Sequence, residues 1–539
     1  MRAASTQRGL RRELLVFALF VVLTVLHTWP LATAPGRWSR NDNGDVVLNE
    51  WALAWVAHQV VTDPVHLFDA NIFYPDRRTL AYSEHLVPQA AMVAPLLWGG
   101  ASPVLAHNVA LLIGFALTAW AMCFVVARWT GCLSAGLVAG SLAAFNAHTL
   151  TRLAHLQAQH VEFLPLGLLA LDQVLAEPRL RSGVRTGVWF GLQALTSGYF
   201  LMFSVLAAGV SVAVRPAEWL GRNRRRVWLS LAAAATTAAA LLWPFMLAYR
   251  RVRTDVGLVR TLDEVAMFSA RWTDWLATGG SLHYALWSRE FFKDDALFPG
   301  ILAIVLAAVA VASGVAWRDR RARMCLAIAV AAVPLSFGPA FPPYGWLYEA
   351  VPLLQGIRGA ARFGQLALIG LAAVAGFGFA SLLSRMTNSR WRLAMTTVVL
   401  ALVTAEAWRA PLSYFEFRGI PAIYDTLAKE SHAVVVHFPL HSTRLIHENT
   451  RYMLGSTRHW HPILNGYSGF VPPSYLMHLA ELGGFPDDRA LRYLRTLGVT
   501  HIVLDASTLP RERVEAAARH DELRLAATDG TLSIYRFRR

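Results

Sequence analysis

Two carboxylates stand close together in the segment Asn41-Asp42-Asn43-Gly44-Asp45, directly before an apolar stretch. A carboxylate fixed beside an acceptor hydroxyl can take its proton, as a general base does. Gly44 lets the backbone turn just before Asp45, so Asp45 is the preferred catalytic candidate and Asp42 is the alternative. The competing interpretation is structural, because either aspartate could simply cap the helix that follows.

Glu84 and His85 form a second polar pair, at the end of the sequence Ala81-Tyr82-Ser83-Glu84-His85. Glu84 could support the base, and His85 could orient it or bind substrate. The alternative is a structural pair at the membrane interface whose hydrogen bonds are satisfied. A divalent cation is chemically possible here, but the sequence has no HExxH or similarly tight ligand spacing, so no metal is implied.

A group of cationic residues and histidines could hold an anionic substrate. His148, Arg152 and His155 are spaced to share one helical face, and Arg358 and Arg362 stand four residues apart before an apolar run. The planar guanidinium group suits a phosphate. All five are therefore candidates to bind substrate, and the last two suit a phosphate if the substrate carries one. The alternative is that these arginines only reach lipid headgroups.

The composition indicates that a membrane surrounds the elements that position these residues. The chain has 539 residues, of which 55% are hydrophobic and only 16% charged, and its mean hydropathy is +0.39. Soluble domains rarely have this composition. The net charge of +15 does not indicate nucleic acid, because arginines fall in short clusters between apolar runs, such as 222–226. That pattern is a topology signal.

Apolar runs predict about eleven transmembrane helices. They lie near residues 13–33, 104–127, 132–147, 161–177, 184–197, 199–214, 227–248, 298–317, 324–340, 363–384 and 391–408. With a cytoplasmic N-terminus, every cytoplasmic connection carries arginine, as the positive-inside rule requires. These connections are Arg128–Gly131, Arg179–Arg185, Arg215–Arg226, Arg318–Arg323 and Arg385–Arg392. The odd number of helices then places the C-terminal part outside.

This topology leaves long outer segments in which chemistry that needs water can occur. They are 34–103, 249–297 and 341–362, all within a transmembrane domain of residues 1–408. In the first, Trp51 and Trp55 predict an interfacial helix with its rings at headgroup depth.

Residues 409–539 are predicted to form a periplasmic soluble α/β domain. Strands are expected at Ala433–Phe438 and His501–Leu504, and helices at Ser474–Leu482, Asp487–Leu497 and Arg511–Arg519.

The layout of one spanning helix, an acidic outer loop, many further spans and an outer C-terminal domain resembles the GT-C superfamily of polytopic membrane glycosyltransferases. More closely, five segments look like a YfhO-like bacterial branch. They are GDVVLNEWALAWVAH, LFDANIFYPDRRTLAYSEHL, RLAHLQAQHVEFLPL, VPLLQGIRGAARF and HWHPILNGYSGFVPPSY.

The resemblance implies a mainly α fold and an inverting glycosyltransferase of the hexosyl type. Such an enzyme takes its sugar from a polyprenyl-phosphate donor and passes it to a glycan, lipid or protein acceptor at the outer face of the bacterial inner membrane. The resemblance also implies that an acidic residue of the first outer loop is the base, and Asp45 or Asp42 matches by position. The sequence departs from the mannosyltransferase pattern, because its first outer loop has no Asp-Glu pair of the mannosyltransferase kind.

Two other functions compete with this interpretation. A transporter of lipid-linked sugars would need charged residues deep within its spans, whereas Glu162, Asp172 and Glu406 lie near predicted helix ends. A non-catalytic protein of cell-envelope polysaccharide assembly would bind a partner through its C-terminal domain.

Overall fold

The computed structural model describes residues 2–40, 43–257, 259–292 and 295–538, with side chains from residue 9 onward. The fold is mainly helical, with 67% of residues in helices. The chain forms two compact units. The helical unit comprises Met1–Ala34, Val109–Pro244 and Val259–Ser413, and the mixed unit comprises Pro35–Asn108, Phe245–Leu258 and Tyr414–Arg539. The division into domains at residues 408 and 409 stays a prediction.

Each of the eleven predicted apolar segments overlaps a helix. These helices are Arg2–His27, Pro103–Thr130, Leu133–Ala144, Phe163–Ala176, Leu180–Thr196, Gly198–Ala213, Arg224–Val256, Ile301–Ala312, Arg320–Ser336, Phe363–Ser384 and Ser389–Ala407.

Within the described residues, three helical stretches are long and apolar enough to cross a membrane. They are Pro103–Thr130, Arg224–Val256 and Ala360–Ser384. Several others have only 12 to 17 residues, for example Ile301–Ala312 and Arg320–Ser336. The total of about eleven spans therefore stays a prediction.

The helix Phe363–Ser384 lies at the centre of the helical unit. It packs against Leu133–Ala144, Ile301–Ala312 and Arg320–Ser336 and is buried on nearly all sides. Gly370 permits one of these contacts, because a Cβ there would stand 2.8 Å from the carbonyl oxygen of Cys325. An apolar helix surrounded in this way satisfies its backbone internally and buries a continuous core.

The remaining helices are mostly shorter than those above. In the helical unit they are Ala147–Thr151, Pro216–Trp219, Leu262–Met267, Ser281–Leu286, Val315–Arg318 and Pro343–Ala350. The mixed unit contains Gly44–Thr62, Val87–Trp98, Tyr424–Ala428, Thr450–Ser456, Pro473–Leu482, Asp488–Thr496 and Arg511–Arg519.

A four-stranded sheet forms the core of the C-terminal part. In spatial order its strands are Val435–Phe438, His501–Asp505, Leu532–Phe537 and Leu523–Asp529. The first two pair in parallel and the rest antiparallel. Both predicted strands and all three predicted helices are present, whereas the final hairpin was not predicted. A small sheet pairs Trp38–Ser39 with Phe415–Glu416.

The helix Gly44–Thr62, called here the first-loop helix, begins where the Asn43 side chain accepts a hydrogen bond from the Asp45 N–H at 2.9 Å. The tryptophan rings of this helix do not face lipid headgroups, in contrast to the expectation for an interfacial helix. Trp51 and Trp55 are only 1% and 4% exposed. They are buried because the mixed unit covers this helix, and the indole N–H of Trp55 donates to the Leu67 carbonyl at 2.9 Å.

The first outer segment and the C-terminal part fold together within the mixed unit. The backbone of Phe73 donates to Asn465 at 3.1 Å, and Tyr74 donates to Ile463 at 3.0 Å. Ile463 in turn donates to Asn71 at 2.8 Å. These bonds hold the loop after the first-loop helix against the C-terminal sheet, because Ile463 also forms a parallel bridge with Val435.

Candidate active site

Asp45 lies in the first turn of the first-loop helix, where its negative charge interacts favourably with the helix dipole. It is half-buried, and its Oδ1 accepts a hydrogen bond from the Tyr467 hydroxyl at 2.8 Å. Asn43, not Asp45, provides the N-cap, so the capping interpretation of Asp45 is wrong. Asp42 lies outside the described residues.

A small pocket of about 130 Å³ opens beside the start of this helix, and Gly44, Val47, His447, Glu448 and Arg451 contribute to its lining. A Cβ on Gly44 would stand 2.8 Å from the Cβ of His447. Glycine therefore allows the close approach of the two segments. The pocket has room for a hydroxyl-bearing group or a few water molecules.

Glu84 is half-buried, between the 3-10 turn Thr79–Tyr82 and the helix Val87–Trp98. Its neighbour His85 is buried against Phe245 and Phe68, with ring centroids 4.9 and 6.2 Å away. The His85 Nδ1 accepts the Val87 N–H at 3.1 Å, and burial lowers its pKa to about 4. The His85 ring is therefore neutral at pH 7, packs against aromatic rings and orders the start of the next helix. A role of His85 in substrate binding stays a prediction.

The structure brings the five predicted cationic and histidine residues together in the helical unit. His148 lies in the helix Ala147–Thr151, but that helix ends before Arg152, and the His155 N–H donates to the Arg152 carbonyl in the turn that follows. The prediction of one shared helical face is therefore wrong, although the residues do cluster. Arg152 forms an ion pair with the buried Asp295.

Both histidines of this cluster are held neutral. Burial lowers the pKa of His148 to about 3, and the charges of Arg152 and Arg362 add to the effect, which Asp295 partly offsets. The pKa of His155 is lowered well below its ordinary value, first by burial and then by Arg362 and Arg152. Neutral imidazoles can donate or accept hydrogen bonds without adding charge.

Arg358 and Arg362 are fixed by aromatic rings. The guanidinium of Arg358 lies 5.0 Å from the ring centroid of Phe268, and that of Arg362 lies 4.1 Å from the centroid of Tyr199. The Tyr199 hydroxyl accepts the Gly359 N–H at 3.1 Å, which orders the same turn.

Positive charge exceeds negative charge in this cluster. A carboxylate of Glu264 is 4.0 Å from Arg358 and 2.9 Å from Arg260. Among the described residues, Arg362 has no carboxylate partner. Stacked guanidinium groups with spare donors can hold an anion of fixed geometry, such as a phosphate.

No group of three or more His, Cys, Asp or Glu side chains is arranged to hold a metal ion in the described part of the chain.

Two families of solved structures share the fold. The arabinofuranosyltransferase AftD from Mycobacteria superposes over 98% of this chain and 40% of its own, with a TM-score of 0.61 and 16% identity. The oligosaccharyltransferase AglB from Archaeoglobus fulgidus, solved with an inhibitory peptide and a dolichol-phosphate, superposes over 92% of this chain and 69% of its own, with a TM-score of 0.52 and 13% identity.

The chain has the GT-C fold. No protein-family model matches the sequence, and no curated protein matches it significantly. The chain spans about 40% of the length of AftD. At these identities the likeness defines the GT-C fold alone, and the YfhO-like branch stays a prediction.

Sequence reasoning missed two side chains that position the candidate site residues of this chain. Tyr467, which binds Asp45, lies inside the segment HWHPILNGYSGFVPPSY, but no role was assigned to it. Tyr199, which supports Arg362, lies in an apolar run and gave no signal. Both lie far from their partners in sequence, so only the fold reveals the pairs.

Proposed function

We propose that this chain is a membrane glycosyltransferase that moves a sugar from a polyprenyl-phosphate donor to a hydroxyl of a glycan, lipid or protein acceptor at the outer face of the bacterial inner membrane. The observation that carries the proposal is the arginine cluster of Arg152, Arg358 and Arg362 around two neutral histidines, in a unit built mainly from apolar helices. The GT-C fold supports it by analogy.

The arginine cluster would bind the donor phosphate. Arg362 supplies donors that no carboxylate of the described residues occupies, and its stacking on Tyr199 limits its movement. The phosphate becomes the leaving group, so it gains negative charge as the bond to the sugar breaks. Preorganised guanidinium groups stabilise that charge in the transition state more than in the bound donor.

Asp45 would act as the general base. The acceptor oxygen attacks the anomeric carbon, the bond from that carbon to the phosphate oxygen breaks, and the electron pair leaves with the polyprenyl phosphate. The acceptor proton passes to the Asp45 carboxylate. The hydrogen bond from Tyr467 fixes the orientation of this carboxylate. A single displacement of this kind inverts the configuration of the sugar. Glu84 supports the site in a secondary role, and Asp42 remains the alternative base.

The membrane assignment rests on the apolar helices and on arginine in each predicted cytoplasmic connection. The protein would be a multi-pass inner-membrane protein with a cytoplasmic N-terminus and a periplasmic C-terminal domain. The bilayer is then the solvent of its helices and the source of its donor.

The decisive experiment uses the purified protein in proteoliposomes made from bacterial lipids. Membrane lipids carrying a radiolabelled polyprenyl-phosphate sugar are added, and the label is followed into water-soluble, lipid and protein fractions. Transfer that is lost in Arg362→Ala and kept in Arg385→Ala is the expected result, because Arg385 is an exposed arginine outside the cluster. Movement of intact labelled lipid across the bilayer without transfer would instead identify a transporter. Absence of both transfer and lipid movement would favour a non-catalytic assembly protein.

A further inference from the structure

A cavity of about 550 Å³ lies wholly within the mixed unit. Its walls come from the first-loop helix, the end of the helix Val87–Trp98, and the segments around Gly419 and Trp460. Small-molecule sites usually have this volume and combine apolar walls with a few polar groups. None of the residues assigned to transfer lines it.

Trp98 forms an exposed aromatic wall of this cavity. Its side chain is 56% exposed, yet its indole N–H donates to the Ala57 carbonyl at 2.9 Å. The hydrogen bond fixes the ring in place while leaving one surface open. A rigid, exposed aromatic ring can bind a flat apolar surface with little loss of side-chain entropy.

The lining holds a second aromatic group, Trp460. Trp460 has a φ of +60°, in the left-handed region that bulky residues rarely adopt. Its ring stacks on His58 at a centroid distance of 4.2 Å and an angle of 8°, and it also contacts Trp55 at 6.1 Å. A strained backbone that is maintained by surrounding contacts is typical of functional sites.

The polar groups of the lining have little unbalanced charge. Arg458 donates two hydrogen bonds to the Asp425 carboxylate, from Nε to Oδ1 at 2.9 Å and from Nη2 to Oδ2 at 2.8 Å. Burial lowers the pKa of His58, so its ring is neutral at pH 7. The other polar side chains in the wall are the hydroxyls of Ser102 and Thr457. The cavity therefore differs from the arginine cluster, which has unpaired positive charge.

We propose that this cavity binds a neutral saccharide, with one sugar ring stacked on Trp98 and sugar hydroxyls bonded to His58 and Thr457. The C–H face of a sugar ring carries slight positive charge and is attracted to the negative face of an indole. A lipid chain fits less well, because it would cover the His58 imidazole without offering it a hydrogen bond. The Thr457 hydroxyl donates to the Leu454 carbonyl at 2.7 Å and can still accept a hydrogen bond from a sugar hydroxyl. An anionic ligand fits less well, because Arg458, the arginine among the described lining residues, is already paired with Asp425. This site does not depend on sugar transfer by the arginine cluster.

The test measures binding alone, with the full-length protein in lipid nanodiscs and no donor present. Maltotriose, cellotriose and α-linked mannotriose are titrated at millimolar concentrations by calorimetry and by saturation-transfer NMR, with trigalacturonic acid as the charged comparison. We expect saturable binding of at least one neutral trisaccharide and none of the charged one. Trp98→Ala should weaken that binding at least tenfold, Trp98→Phe less, and His58→Ala several-fold.

Trp317→Ala is the matched control, because Trp317 is 55% exposed and belongs to the helical unit; it should bind like the wild type. Failure of all three neutral sugars to bind would overturn the proposal. So would equal binding by Trp98→Ala, or a photoactivatable residue at position 98 that crosslinks to lipid chains. Arg362→Ala should lose transfer and keep this binding, which separates the two proposals.

Discussion

The guanidinium group of Arg362 lies 4.1 Å from the centre of the Tyr199 ring, and the hydroxyl of the same tyrosine accepts the Gly359 N–H. One side chain therefore fixes both the arginine and the turn that carries it. A cation over an aromatic face is stabilised by about 0.5–2 kcal/mol, depending on exposure.

This relationship predicts graded effects on donor binding. Arg362→Ala and Arg358→Ala should each weaken binding of farnesyl phosphate roughly tenfold to a hundredfold, because a charge-assisted hydrogen bond contributes about 1.5–3 kcal/mol. Tyr199→Phe keeps the ring and loses only the bond to Gly359, so a few-fold loss is expected, and Tyr199→Leu should lose more. Calorimetry in detergent measures all four. Unchanged affinity in both arginine variants would rule out phosphate contact.

Asp45→Asn keeps the shape of the side chain and removes its basicity. If proton abstraction limits the reaction, turnover should fall about a hundredfold or more while donor affinity stays nearly constant. Tyr467→Phe should lower turnover less than Asp45→Asn does, since it removes only the orienting hydrogen bond. Glu84→Gln should also lower turnover less than Asp45→Asn does. Single-turnover transfer and donor binding are measured on the same preparations.

Asp42→Asn is the informative comparison for this prediction. If Asp42→Asn abolishes transfer and Asp45→Asn keeps full activity, the base is Asp42, so the segment was assigned correctly and the residue was not. If both variants are active while folded and inserted in the membrane, the proposed mechanism is ruled out.

Buried histidines are expected to make the mixed unit less stable in acid. His437 is fully buried and stacks on Tyr452 at 4.7 Å. Burial lowers its pKa to about 3, an effect that Asn465 and Asp505 partly offset. Because the folded pKa lies below the unfolded value, the unfolded state binds more protons between about pH 6.5 and 3. The contribution of this histidine to the free energy of unfolding is fully present above this range. It decreases as the pH falls through the range, by up to about 1.4 kcal/mol per pH unit.

His437→Phe keeps a ring against Tyr452 and removes the titrating group. In scanning calorimetry between pH 7 and pH 5, we expect a smaller fall of the unfolding temperature in this variant than in the wild type. His432→Phe is the control, because His432 is exposed. Parallel pH profiles for wild type and His437→Phe would show that another group causes the acid sensitivity.

The topology can be checked with reporter fusions. Alkaline phosphatase fused after Arg539 should be active, because the C-terminal part is proposed to be periplasmic, and a fusion at Gly221 should be inactive. The expectation follows from arginine in every predicted cytoplasmic connection. The reverse pattern of activity would invert the orientation.

The helices could be predicted from the sequence because apolar runs and arginine connections are local signals. The hairpin of Leu523–Asp529 and Leu532–Phe537 was missed, although Asp529-Gly530 is a turn signal and Gly530 has a φ of +58°. The strands are short and their exposed residues hide the alternation of apolar and polar positions.

The candidate residues were predictable by type, but their environment was not. The segments that carry His148 and Arg362 are about two hundred residues apart, and only packing of the helical unit brings them together. His85 has the same chemistry as His148, yet aromatic rings of its own unit enclose it. Sequence alone could not distinguish the two histidines, because burial and neighbours decide their roles.

The mixed unit combines chain segments that are made at very different times. Its N-terminal part ends at Asn108 and its C-terminal part begins at Tyr414, with about three hundred residues of mostly helical chain between them. At the usual rate of about 5–20 residues per second, the first segment waits roughly 15–60 s for its partner during synthesis. Throughout that interval Asn71, Phe73 and Tyr74 lack the backbone partners that they bond in the finished protein. In the proposed topology, the nascent first loop is therefore expected to need periplasmic chaperones and to be exposed to proteases until the last segment emerges.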